Sequence, residues 1–201
     1  MTMNETAPMA SPKILVLPGS TRTGSHNARL AALAAKELAM IDIDVTRISL
    51  ADYPMPIYDG DLEARSGQPE NALKLKRAFM AHAGIFIASP EYNASITPLL
   101  KNTLDWVSRV RERGDPTYAA FKGRVFAISS ASPGRSGGLR SLIALRQILE
   151  LGCGALVIPE QVAIPQADQA FDEMDNIVDT GTANLFRAQL ARLVDMARLM
   201  M

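Results

Sequence analysis

The stretch Lys13-Ile-Leu-Val-Leu-Pro18-Gly19-Ser20-Thr21-Arg22-Thr23-Gly24-Ser25-His26-Asn27 decides the fold. A short apolar run passes through a turn rich in glycine and hydroxyls into an Ala/Leu helical pattern from about Ala28 to Met40. Working outward, further strands are read at Asp44 to Ser49, Gly84 to Ser89, Arg124 to Ser129 and Ala155 to Ile158. Helices are expected from about Glu70 to His82, Pro98 to Val110 and Gly138 to Leu151. A last amphipathic helix carries Phe186, Leu190, Leu193, Val194 and Ala197 on one stripe. Between Ser49 and Glu70 the chain reads as a loop, punctuated by Pro54, Pro56, Gly60, Gly67 and Pro69. Five strands, each followed by a helix, predict an α/β fold, a three-layer doubly wound five-stranded parallel sheet. Strand two alternates polar and apolar residues, as an edge strand does; the others are near-continuous apolar runs, covered on both faces. In such sheets ligands bind beyond the carboxyl ends of the strands, which directs attention to the loops after strands one, three and four.

The 201 residues fit one domain, expected over 12–201 behind a flexible N-terminal tail at 1–11. That opening has neither a basic start nor an apolar stretch, and no run is long enough to cross a bilayer, so a cytoplasmic protein with no membrane partner is expected. Lys and Arg number 21, as do Asp and Glu, and aromatic residues are scarce. A nucleic-acid partner would need a basic surface and stacking rings, and none is expected. One cysteine, Cys153, rules out an internal disulfide and reads as a buried thiol. Two histidines and no carboxylate cluster leave no expected metal site.

The turn after strand one places four hydroxyls, two glycines and Arg22 where a strand hands over to a helix N-terminus. Unpaired amides and the helix dipole there favour an anion, glycine lets the backbone close around it, and the guanidinium adds charge-assisted bonds. An ordinary capped turn would need only Ser25 or Asn27. Gly19 and Gly24 have the spacing of a Walker A loop, but Ser25 and His26 replace its Lys and Ser/Thr, which argues against a nucleoside triphosphate. The G-x-G-x-x-G of dinucleotide folds is also missing, so a terminal phosphate monoester is the expected ligand. His26 is within reach of such a ligand but reads as a solvent-exposed turn histidine.

The third strand runs into Ser89-Pro90-Glu91-Tyr92-Asn93, where a rigid proline, a ring and backbone amides can frame a flat heterocycle. A phosphate at one end and a planar ring at the other describe FMN. Together, Gly19-Ser20-x-Arg22-x-x-Ser25-x-Asn27, Pro90-Glu91-Tyr92-Asn93 and Leu100-Lys101-Asn102-x-x-Asp105-Trp106 resemble the NAD(P)H-dependent FMN reductase family, which includes bacterial quinone and chromate reductases. The resemblance runs from about Lys13 to Leu199 and implies a flavodoxin-like fold. It also implies that Ser20, Arg22, Ser25 and Asn27 hold the FMN phosphate, and that Pro90, Glu91, Tyr92 and Asn93 line the isoalloxazine, largely through backbone groups. Many members read Pro-Gly where this chain has Thr97-Pro98; proline is tolerated in a helix's first turn, though local backbone and substrate access can differ.

After strand four, Gly134-Arg135-Ser136-Gly137-Gly138 matches the G-x-S-x-G nucleophile elbow. No histidine follows His82, so Ser136 lacks a general base and no catalytic side chain is assigned. By the resemblance, this loop flanks the flavin with Ser132 and Gly134 as contacts; Arg135 either meets a nicotinamide cofactor's phosphate or is merely solvated. The implied activity is transfer of a hydride from NAD(P)H through bound FMN to a quinone, flavin or similar small-molecule acceptor. A flavodoxin-type electron carrier or a non-catalytic flavin-binding module is the alternative. Carriers are typically strongly acidic, unlike this chain. The helix after Pro98 carries Leu99, Leu100, Leu104, Trp106, Val107 and Val110 over roughly 160° of its wheel, more than one sheet contact needs. That excess predicts a homodimer, or a homotetramer, formed through the Leu99–Val110 helix.

Overall fold

The computed structural model describes residues 11–201. The expected tail at 1–11 lies outside that range apart from Ser11, which is exposed and irregular. Five strands, β1 (Lys13–Pro18), β2 (Asp44–Arg47), β3 (Gly84–Ala88), β4 (Val125–Ala131) and β5 (Leu156–Ile164), form one sheet. All four pairings are parallel and the order is β2-β1-β3-β4-β5. β2 is an edge strand, as its alternation implied, and the order reverses at the β1/β3 boundary. Six helices follow in chain order: α1 (His26–Ala39), α2 (Gly60–Ser66), α3 (Glu70–Met80), α4 (Pro98–Arg109), α5 (Leu139–Gln147) and α6 (Thr180–Leu199).

The pleat sorts the core into two layers. Ile14 and Val16 of β1 face α1 and α6, packing with Leu30, Phe186, Leu190 and Leu193. Leu15 and Leu17 face the opposite way, toward Phe79 of α3, Leu104 of α4 and Leu145 of α5. Across the first layer Phe86 meets Phe186 edge-to-face at 5.8 Å, a geometry worth about 1 kcal/mol beyond area burial. The five stripe residues of α6 are all buried. Cys153 is buried too, and burial pushes its thiol up to about 11, far from a reactive thiolate.

Three elements depart from expectation. α2 forms inside the stretch read as loop: Asp59 caps it by accepting from the amides of Asp61 and Leu62, and Gly67 at φ +72° stops it. β5 does not end at Ile158 but continues to Ile164 past Pro159. Phe126 pairs with Val157 and Ile128 with Gln161, so Ile158, Pro159 and Glu160 bulge opposite Ala127 alone. The buried Gln189 of α6 repairs the interruption, donating to Ile128 O (2.9 Å) and Glu160 O (3.1 Å) while accepting from Ser129 Oγ (2.6 Å). α5 stops at Gln147 and passes into a π-turn, Ile148–Gly152, where a longer α-helix was expected.

The apolar excess of α4 also finds a different partner. Trp106 is fully enclosed by the chain's own Pro54–Ser66 segment, donating from Nε1 to Pro56 O at 2.7 Å and meeting the Tyr58 ring edge-on at 5.0 Å. Asn102 fastens the same segment, accepting from Tyr58 N (2.8 Å) and donating to Pro56 O (2.9 Å). Leu100, Leu104, Trp106, Val107 and Val110 are thus buried within one subunit, and the wheel argument for a second subunit at this helix is corrected.

Candidate functional site

At the carboxyl edge of the sheet, three loops converge. The β1–α1 loop begins where Gly19 N donates to Ala88 O at 2.8 Å, locking it to β3. A Cβ at Gly19 would crowd Leu100 Cδ2 at 3.0 Å and Pro90 Cδ at 3.3 Å, so glycine lets this turn lie against the neighbouring loop and α4 without either side chain giving way. Thr97 pins it from the other side. Its hydroxyl donates to Gly19 O at 2.6 Å and accepts from Leu100 N at 3.2 Å, capping α4. The Thr97-Pro98 departure therefore preserves the helix start and ties α4 to the glycine turn.

Within the loop, Ser25 caps α1, and its Oγ accepts from Ala28 N at 3.4 Å. The amides of Ser20, Thr21, Thr23 and Gly24 find no acceptor among the described residues. Arg22 is exposed, its guanidinium resting on Thr23 O and Gly24 O at 3.3 Å each. Free amides, hydroxyls, a guanidinium and a helix N-terminus form an anion cradle.

A cavity of about 110 Å³ joins this cradle to the other two loops. Ser20, Arg22, Ser25 and Asn27 line it from the first, Pro90, Glu91 and Tyr92 from the second, and Ser132 from the third. Asn93 and Gly134 do not line it. Asn93 occupies a tight turn at φ +49°, and Gly134 is exposed, its amide donating to Ser132 Oγ at 3.3 Å.

Two of the lining residues have side chains already committed elsewhere. The buried amide of Asn27 accepts from Ala131 N (3.0 Å) and donates to Ala131 O (2.8 Å), joining α1 to the end of β4. That pairing orders the cradle and engages one of the two Nδ2 hydrogens, leaving the other without a partner among the described residues. Glu91 is bound by Arg140, Nε to Oε1 at 2.7 Å, and accepts Arg140 N at 3.2 Å. Its side chain is only 7% exposed, so this face of the cavity presents backbone and no bare carboxylate. Tyr92 stands 51% exposed at the rim, suited to flank a flat ring. Ser136, the elbow serine, is exposed on the β4–α5 turn. That turn is kept tight by Gly137 and Gly138 at φ +61° and +87°, and a Cβ on Gly138 would overlap Ser130 Oγ.

Sequence reasoning read His26 as a solvated turn residue, and the structure corrects this. Its side chain is 15% exposed, Nε2 lies 3.1 Å from Asp168 Oδ1, and Nδ1 is buried without a hydrogen-bond partner beside the same cavity. An orphaned buried nitrogen at an anion cradle indicates a site completed by a ligand. The donor set fits the phosphate end of FMN, and the exposed ring of Tyr92 with the free amides of Glu91 and Asn93 fits its flat end.

The family described as NADPH-dependent FMN reductase matches residues 12–169. An NAD(P)H-dependent FMN reductase of Pseudomonas aeruginosa is 34% identical over 183 residues, covering 90% of this chain and 92% of that protein. A quinone reductase of Escherichia coli K12 is 31% identical over 181 residues, covering 89% and 91%. Among solved structures, the flavoenzyme NAD(P)H:(acceptor) oxidoreductase FerB of Paracoccus denitrificans superposes with a TM-score of 0.76 at 26% identity, covering 92% of this chain and 97% of that one.

Proposed function

The chain belongs to the NADPH-dependent FMN reductase family, and from that premise we propose that it passes a hydride from NAD(P)H through bound FMN to a quinone, flavin or similar small acceptor. One observation carries this reading: residues from three loops, spanning more than a hundred positions from Ser20 to Ser132, meet around one anion cradle with the exposed Tyr92 ring at its rim. When bound, FMN supplies the hydride-accepting and electron-donating centre, so the protein needs no nucleophile of its own.

The residues have separable tasks. Ser20, Arg22, Ser25 and the loop amides hold the phosphate; Asn27 and Thr97 fix that loop against β4 and α4. Pro90, Glu91 and Tyr92, with Asn93 through its turn backbone, set the ring's edge, and Ser132 and Gly134 border it from the third loop. The Glu91–Arg140 pair keeps a carboxylate neutralised beside a ring that gains negative charge on reduction. Tyr92, half-exposed at the rim, would flank the ring of a bound flavin.

Among the described residues no helix is long and apolar enough to cross a membrane, and a cytoplasmic location is part of this proposal. So is assembly into a homodimer or homotetramer. Its support is Ile57, 75% exposed on the segment that covers Trp106.

The test is ligand discrimination. Wild-type protein is expected to quench FMN fluorescence on binding, and Arg22→Ala to weaken FMN at least tenfold while changing riboflavin binding little. Equal losses for FMN and riboflavin would show that the cradle does not hold the phosphate.

A further inference from the structure

His26 opens α1 with its ring on the wall of the cradle cavity and its two nitrogens in different surroundings. Nε2 lies 3.1 Å from Asp168 Oδ1, whereas Nδ1 is enclosed and has no hydrogen-bond partner. Asp168 belongs to the segment between β5 and α6, and α1 fastens that segment along its length. Arg29 donates to Asp175 Oδ1 from Nε (2.6 Å) and to Asp172 O from Nη2 (3.2 Å), and Lys36 donates to Asn176 Oδ1 at 2.9 Å. The carboxylate beside His26 is thus set by the fold, although its side chain is 68% exposed. The other titratable side chains lining the cavity are Arg22, Glu91 and Tyr92. Glu91 is paired with Arg140, and Arg29, one turn along α1, is taken by Asp175. Among the described residues Asp168 has no cationic partner besides His26.

We propose that His26 couples FMN binding to the uptake of a proton: the imidazole is neutral beside the empty cradle and becomes an imidazolium bridging Asp168 and the bound phosphate. The proposal rests on the FMN reading and deepens it. A carboxylate accepts and cannot donate, so it keeps a hydrogen on Nε2 and leaves a lone pair on Nδ1 of the neutral ring. The unpartnered nitrogen of the structure is that one. A phosphate monoester above its second ionisation, near pH 6, likewise only accepts. Between two such acceptors an imidazole satisfies both only with a hydrogen on each nitrogen, which makes it a cation. The added proton comes from solvent, and imidazole side chains ordinarily change charge between about pH 5 and 8. Arg22 attracts the same phosphate at every working pH, so the proton-dependent share of the binding falls to His26. The cofactor is accordingly gripped more firmly at pH 7 than at pH 8.

Calorimetric titration of FMN into the full chain freed of flavin, at pH 8 in Tris and again in HEPES, reads proton uptake from the difference in buffer ionisation heat. Wild type is expected to take up roughly 0.5–1 proton per FMN, and none with riboflavin, which lacks the phosphate. FMN affinity should rise about three- to tenfold from pH 8 to pH 7. His26→Gln should abolish the uptake and flatten that rise, with riboflavin affinity unchanged as the check on folding. Asp168→Asn, at an exposed position, should lower the uptake, since an amide can donate to Nε2 and let a neutral ring serve the phosphate from Nδ1. A side chain that merely shaped the loop would change FMN affinity equally at both pH values, which overturns the proposal. So does FMN binding by wild type without proton uptake, or uptake that Asp168→Asn leaves unchanged. Uptake that persists in His26→Gln assigns the proton to the phosphate or another group, and equal uptake with riboflavin assigns it to the ring end; either overturns the proposal. Protein that binds no FMN at all fails the cofactor reading itself, a result distinct from FMN binding without uptake.

Discussion

Asn93 and Ala94 sit at φ +49° and +64°, the two central positions of a turn closed by reciprocal bonds between Tyr92 and Ser95 at 2.9 and 3.0 Å. Asparagine tolerates that conformation; alanine is strained in it. Ala94→Gly is therefore expected to stabilise the protein by roughly 0.5–1 kcal/mol, seen as a higher urea midpoint at unchanged slope. A lower midpoint would mean the ring-bordering turn is not strained. Asn27→Ala should do the opposite, costing about 2 kcal/mol by stranding the buried Ala131 amide and carbonyl, and should weaken FMN binding by loosening the cradle. That Ser20, Arg22 and Ser25 gather at one cavity was legible in the sequence, because all three sit at a strand-to-helix handover at the carboxyl edge of the sheet. The commitments of Asn27 and Glu91 were not, because their partners Ala131 and Arg140 lie 104 and 49 residues away. His26 was misread for the same reason: Asp168, which turns it inward, belongs to a loop with no local pattern.

Strand and helix boundaries followed hydrophobic period wherever the element faced the core, and failed where a side chain from elsewhere completed it. β1 is recovered residue for residue, since both its faces are buried. β5 was cut short at Pro159 because a proline and two polar residues look like a terminus, and only Gln189 reveals how the sheet continues. Gln189→Ala is expected to cost about 1–3 kcal/mol in denaturant unfolding, since the buried Ile128 carbonyl and the part-buried Glu160 carbonyl lose their donor. A neutral substitution would mean the bulge is satisfied without it. α3 carries a second non-local fastening. Lys76 is enclosed and bonded to Asp115 and to Glu112, the latter at 2.9 Å, and Arg77 reaches Glu112 at 2.6 Å. The Lys76 bond, then Glu112 N, holds the Asp115 carboxyl below its usual range; Arg77, then Lys76, does the same for Glu112. Depressed carboxylate values mean stability present above the unfolded pKa, near 4, and lost as pH falls through the folded values. Wild type should accordingly lose stability on acidification below about pH 4, and Asp115→Asn should lose less over that window. Parallel curves for the two proteins would exclude this cluster from the acid response.

At the scale of the whole molecule, the alternating strand and helix pattern was enough to place the candidate site's edge of the sheet, because a β2-β1-β3-β4-β5 parallel sheet leaves one strand-order reversal and loops around it. Quaternary structure was less legible. A helix wheel counts apolar residues without knowing that Pro56 and Tyr58 will fold over Trp106. Light scattering at micromolar concentration is expected to give a dimer or tetramer that Ile57→Lys dissociates; a wild-type monomer would remove assembly from the account. The family, the neutral charge balance and the converging loops all lead to one chemical act. Anaerobic addition of NADPH to the FMN-loaded protein, followed in the visible flavin band, tests it most directly. Rapid bleaching, reversed by a quinone, is the expected result; a flavin band that NADPH leaves untouched would contradict the account.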